Sequence, residues 1–201
     1  MNIKDLDKLI KKIISENTIN EDNDRKYELT NETINIDGNT LYRIKALKSF
    51  SNIKEGDLGG YVQSENNLSH EDDCWIDNNA KVYGNAKVYD DAQVYHEAII
   101  SDNAKVFDNA KVYGKAKVFD NAQVYDNARV FDNVKVYKNA KVFGNAQVYD
   151  DVQIFGKAYI FRNAQIFQQA KIYGDATISE NAIVFGNAKV DYDVKNQKIS
   201  K

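Results

Sequence analysis

The chain has little of several things that commonly carry chemistry: one cysteine and two histidines in 201 residues. With Cys74 alone, no internal disulfide can form, and nothing calls for an oxidising compartment. The expected location is therefore cytoplasmic. No apolar run is long enough to cross a bilayer, and the opening MNIKDLDKLIKKIISEN lacks the unbroken apolar stretch and small-residue cleavage site of a signal peptide. A membrane partner is not expected. An excess of either charge is also missing. The net charge is −3, and residues 76–195 hold fifteen Lys/Arg against fifteen Asp/Glu. Such neutrality argues against a nucleic-acid partner, which calls for a basic patch, and against an acidic decoy of DNA. A fully disordered chain is not expected either, because 43% of the residues are apolar and can build a core.

What is present is organised in blocks. Ile3, Leu6, Ile10 and Ile13 recur at helical spacing, with Leu9 and Ile14 widening the stripe and lysines opposite. This predicts an amphipathic helix over 1–16, whose apolar stripe is a candidate oligomerisation surface. Residues 17–26 are polar and read as a linker. Apolar alternation on both sides of Asp37-Gly38-Asn39 predicts a hairpin within a β cap over 27–57. The three glycines of KEGDLGGYV, 54–62, read as a turn.

From Ile76 to Val190, Val or Ile occupies every sixth position without a slip. Two residues earlier stands Ala, apart from Cys74 before Ile76 and Val at 134 and 152; the residue after is usually Tyr or Phe, followed by a polar pair rich in Asp, Asn and Gly. A helix would scatter this period around its circumference. A four-residue strand with Ala and Val on one face, followed by a tight corner, can instead wind. Three hexads make an eighteen-residue triangular coil with Ala and Val inside and each strand parallel to the next. About seven coils, at strand spacings of ~4.8 Å, give a prism roughly 32 Å long. Tracing the phase backward through Leu58, Val62, Leu68 and Cys74 adds a degenerate first coil over 58–75, and residues 196–201 remain as a tail. The expected fold is all-β: a left-handed parallel β-helix with a small β cap and an N-terminal helix.

The handedness comes from a resemblance. Over 76–195 the pattern of an aliphatic residue, three variable ones, a small one and another variable one is similar to the hexapeptide repeat of left-handed parallel β-helices. Residues 41–76, through Gly59-Gly60-Tyr61-Val62 and Asp73-Cys74-Trp75-Ile76, also resemble a bacterial hexapeptide family of uncharacterised transferases. The resemblance to hexapeptide acyltransferases implies an acyl-CoA donor and a histidine base. Only His96, at a corner and followed by Glu97, and His70, in LSHEDDCW, are candidates. Carbonic anhydrases of this fold would need three zinc histidines, so no metal is expected. Ice-binding solenoids display threonine ladders, and Thr177 is the only threonine in the repeat. Cys74 falls at an interior small-residue position, the place of a buried thiol.

Eighteen-residue coils sort the outward rings into three columns. The first contains Phe119, Tyr137, Phe155 and Tyr173 but is broken at Ser101. The second runs from Tyr89 to Phe161 and ends at Ser179. The third, Tyr95, Tyr113, Phe131, Tyr149, Phe167 and Phe185, is aromatic throughout. Ring ladders stabilise in-register strands. A continuous column exceeds what a monomer ordinarily exposes, which marks the third as a binding face for a protein partner or a second copy. The expected function is a non-catalytic binding or scaffold protein without a cofactor. The alternatives are the acyltransferase and a phage or mobile-element inhibitor of a host protein.

Overall fold

The computed structural model describes residues 6–12 and 25–201, and it is a parallel β-solenoid of triangular section. Residues 6–12 are helical, while Ile3, Ile13 and Ile14 lie outside the described residues. Strands β1 (Tyr27–Ile36) and β2 (Asn39–Ala46) pair antiparallel. Their turn has Asp37 and Gly38 at φ 50° and 81°, the left-handed pair that a tight hairpin requires. Strand β3 (Leu58–Val62) then pairs antiparallel with β2 on one side and parallel with Lys81–Val82 on the other. It thereby converts the cap into the first turn of the solenoid.

Beyond it the strands are mostly two residues long, and those from Lys81–Val82 to Lys171–Ile172 stack on the strand eighteen residues on, as in Lys117↔Lys135, Gln123↔Lys141 and Arg129↔Gln147. Three sheets result, one per face. We call the faces first, second and third after the strands Lys81–Val82, Lys87–Val88 and Gln93–Val94. Inside, the Ala and Val/Ile columns are essentially inaccessible to water. Each Val or Ile there stabilises the coil by about 1.5–3 kcal/mol. Val134 and Val152 stack one coil apart on the first face, both fully buried.

The corners explain the polar pairs. Corner residues take left-handed backbone, among them Asp90, Asp108 and Asp126 at φ 55°, 54° and 56°. Asp tolerates this better than most side chains. It also contributes a bond that Gly cannot: the corner N–H of Asp108 donates to Asp90 Oδ2 at 3.2 Å, Asp126 N–H to Asp108 Oδ2 at 3.2 Å, and Gly144 N–H to Asp126 Oδ2 at 3.0 Å. Carboxylates therefore cap the coil above them. At the corner after the first face asparagines form a second ladder, with Asn85 Nδ2 donating to Asn103 and Asn103 Nδ2 to Asn121, at 3.1 and 3.3 Å.

Four expectations need correction. Gly59 and Gly60 are not a turn: they lie within β3, where a Cβ would sit 2.6 Å from Ile76 O and Ala80 O respectively, so they allow strand backbones to approach. Leu58 does not join the core column but is 47% exposed. The first coil holds two extra residues, because Val62↔Val82 and Leu68↔Val88 are twenty apart whereas Trp75↔Gln93 are eighteen. Finally, the end of the chain is not a free tail: Lys198–Ser200 adds a parallel strand beside Ile183–Phe185.

Candidate binding face

The eighteen-residue stacking places the third-column rings above one another. Tyr95, Tyr113, Phe131, Tyr149, Phe167 and Phe185 form five successive stacked pairs with centroid distances of 4.7, 4.8, 5.1, 5.1 and 5.3 Å. All six rings are half-buried rather than freely exposed. Each covers its neighbour's face and leaves edges and hydroxyls outward. Burial, then the neighbouring Tyr113, pushes the Tyr95 phenol up, and burial does the same for Tyr113.

The other columns obey the same geometry. The second runs unbroken from Tyr89 to Phe161 at 4.8 to 4.9 Å, and the first from Phe119 to Tyr173 at 4.9 to 5.5 Å. Stacking is therefore a property of the repeat. What distinguishes the third column is its length and its neighbours, since the outward residues beside it are Gln93, Lys111, Arg129, Gln147, Gln165 and Ile183.

At the N-terminal end of this face the cap folds over Trp75, which is 4% exposed and meets Phe50 edge-on at 5.4 Å. A cleft of about 200 Å³ lies between Trp75, Ile53, Asp73, Asp77 and Tyr95. Trp75 and Phe50 lie outside the repeat pattern and have no role legible from it. The usable signal is a lone tryptophan at a position where later coils place Gln, Lys, Arg or Ile.

The two histidines are far apart in chemistry. His96 occupies an exposed corner at φ 61°, its ring edge-on to Tyr95 at 4.9 Å and to Tyr113 at 6.3 Å. Glu97 does not hydrogen-bond to it among the described residues. His70 instead belongs to a packed cluster: its ring stacks on buried Tyr27 at 4.3 Å, and its Nδ1 accepts the Lys26 N–H at 3.2 Å. The Tyr27 hydroxyl donates to Leu68 O at 2.8 Å.

Lys26, expected in the linker, is in fact buried. Its ammonium donates to the carbonyls of Glu71, Asp72 and Cys74 at 3.0, 3.0 and 2.9 Å and contacts Cys74 Sγ at 3.2 Å. The two extra residues of the first coil thus wrap a lysine. Burial raises the Cys74 thiol above its ordinary value, and Lys26 partly opposes this. Cys74 is a free, fully buried thiol.

A pH dependence follows from His70. Burial first, with Arg25 and Lys26 adding to it and Glu65 opposing, holds its pKa below the usual value of 6.5. The unfolded chain therefore takes up the proton at a higher pH than the folded one. The stability that His70 contributes is complete above pH 6.5 and is lost as pH falls towards its folded pKa. Urea midpoints measured from pH 8 to 5 should fall more steeply for the native chain than for His70→Gln; parallel curves would refute the assignment.

Among the described residues, no group of three or more His, Cys, Asp or Glu could hold a metal ion. No described helix is long and apolar enough to cross a membrane. Leu6, Leu9 and Ile10 of the helix are each 44% exposed.

A two-residue strand every six residues, with a coil of eighteen, defines the winding. Residues 122–138 and 170–186 match the YdcK beta solenoid repeat. Each matched segment spans most of one coil. The first runs from Ala122 to Lys138 and the second from Ala170 to Gly186, forty-eight residues on. The similarity to the YdcK repeat thus concerns the winding of the solenoid. No curated protein matches the chain.

Proposed function

We propose that this chain is a non-catalytic solenoid scaffold that acts in the cytoplasm and binds a protein partner or a second copy of itself through its third face. The observation that carries this reading is the unbroken column of six rings from Tyr95 to Phe185 beside a glutamine-rich outward column. Rigid, half-buried aromatics lose little side-chain freedom on contact and serve well as interface anchors. The commitment of His70 to Tyr27 and Lys26 weighs against the acyltransferase alternative.

The test changes four central rings together: Tyr113→Ser, Phe131→Ser, Tyr149→Ser and Phe167→Ser. The matched control changes Phe119, Tyr137, Phe155 and Tyr173 to Ser on the first face. Each lost ring removes ladder contacts worth about 0.5–1.5 kcal/mol, so both variants should retain strand circular dichroism. Only the third-face variant should lose mass in light scattering or lose its captured partners. Equal behaviour of the two variants would overturn the reading.

A further inference from the structure

The ring column of the third face has two ends, and they are finished differently. Tyr113, Phe131, Tyr149 and Phe167 are each stacked on both faces, whereas Tyr95 and Phe185 are stacked on one only. At the C-terminal end a cation takes the open side. Lys198, whose strand lies beside Ile183–Phe185, places Nζ over the Phe185 ring at 5.0 Å from its centroid. The last ring of the second column, Phe161, also has a cation over it, with Arg162 Cζ at 5.9 Å. Tyr95 has no such cation among the described residues. His96 does not cover its free face either: at 4.9 Å from Tyr95 and 6.3 Å from Tyr113 it stands beside the column, because a group over the far face would be much farther from Tyr113.

The residue one coil before Tyr95 is Asp77, held in register by its N–H, which donates to Val94 O at 2.8 Å. Aspartate is shorter than a ring, so its carboxylate stops short of the place that a further ring of the column would fill. The cleft of about 200 Å³ lies on this side of Tyr95, lined by Asp73, Trp75 and Asp77 of the preceding coil and by Ile53 of the cap. Asp77 Oδ1 accepts the Asn78 N–H at 2.7 Å, while Asp77 Oδ2 and the whole Asp73 carboxylate have no hydrogen bond or ion pair among the described residues. No lysine or arginine lines the cleft. Aromatic and apolar walls with two carboxylates and no balancing charge are the surroundings that attract an organic cation.

We propose that this cleft binds a guanidinium group, stacked on the free face of Tyr95 where a further ring of the column would stand. Its N–H fork points to Asp77, with Asp73 at the exposed mouth, and the methylene stem that carries it lies against Ile53. A flat cation suits the place better than an ammonium for two reasons. It can continue the stack face to face, as the rings do at 4.7 to 5.3 Å, and its parallel N–H groups match both oxygens of a carboxylate that meets it end-on. The volume is below the range of pockets for drug-sized ligands, which fits a single side chain or a small molecule of that length. The ligand is therefore either a free alkylguanidine or an arginine side chain of another protein. The inference goes beyond the third-face reading and does not depend on what covers the remaining rings.

The experiment titrates the full chain with agmatine, with a blocked Gly-Arg-Gly peptide and with butylammonium, by calorimetry and by the fluorescence of Trp75, the only tryptophan. Agmatine or the peptide should bind with one-to-one stoichiometry and change the Trp75 emission, and butylammonium should bind more weakly than either. Asp77→Asn, which keeps the oxygen that accepts the Asn78 N–H, should weaken binding by about tenfold or more. Tyr95→Leu, which keeps an apolar wall but no ring face, should weaken it a few-fold. Circular dichroism checks each fold, and Asp73→Asn substitutes for Asp77→Asn if that variant fails the check. Binding of agmatine alone assigns the site to a small molecule, and binding of the peptide alone assigns it to an arginine of a partner; both uphold the proposal. Absence of binding by both, equal affinity for butylammonium, or undiminished affinity in a folded aspartate variant would each overturn it.

Discussion

A single Val130→Asp exchange is expected to leave no cooperatively folded solenoid. Val130 is fully buried, in register between Val112 and Val148, in an interior lined by Ala, Val and Ile. The backbone groups nearest to it are already committed, with Phe131 N–H donating to Val148 O at 3.0 Å and Tyr113 N–H to Val130 O at 3.0 Å. A carboxylate would find neither water nor a donor, and the effective penalty is several kcal/mol per buried ion. The effect spreads because each coil is stabilised mainly by the coils above and below it, so a defect in the middle separates two short stacks. Val130→Ala is the control and should cost only about 2 kcal/mol. Thermal and urea unfolding followed by circular dichroism separate the two. An aspartate variant melting within a few degrees of the native chain would show that the interior admits charge.

Lys26→Met should have the second largest effect, confined to the first coil. Methionine keeps the stem but removes the three donors, leaving the carbonyls of Glu71, Asp72 and Cys74 without them. Each carbonyl left dry costs about 1–3 kcal/mol. Opening of residues 69–74 should therefore become at least about tenfold more frequent, and Cys74, fully buried in the native chain, reports it directly. Alkylation of the single thiol below its unfolding transition should accelerate by that factor while the circular dichroism of the coils persists. An unchanged alkylation rate would mean that the cage contributes nothing to closure.

These two residues also show what could be read in advance. Val130 is one of a column at strict six-residue spacing, and a period that never slips determines coil size, interior, faces and ring columns at once. Stacking at Val134 and Val152 followed from the same arithmetic. Lys26 had no such neighbours. It stands at the end of a polar stretch, and its partners are backbone carbonyls 45 to 48 residues away, which leave no mark in a side-chain pattern. Gly59 and Gly60 were misread for a related reason: glycine serves turns and close approach equally, and the atoms that decide between them belong to Ile44, Trp75, Ile76 and Ala80. At the candidate face, spacing identified the six rings, but not that their faces would be consumed by one another.

The last coil has a bearing on aggregation. Stacks of parallel strands end in open edges that can template the next molecule, as in fibrils. Here the spacing falls from eighteen residues at Ile172↔Val190 to sixteen at Ile178↔Val194 and fifteen at Ile183↔Lys198. An incoming copy offering eighteen-residue coils therefore finds three edges that no longer share one pitch. Those edges also carry Lys189, Lys195 and Lys198, with Lys201 crossing Gly186. At the opposite end of the first-face sheet the antiparallel hairpin takes the place of a parallel neighbour, so neither there nor at the shortened coil does the described solenoid offer three open edges at an eighteen-residue pitch.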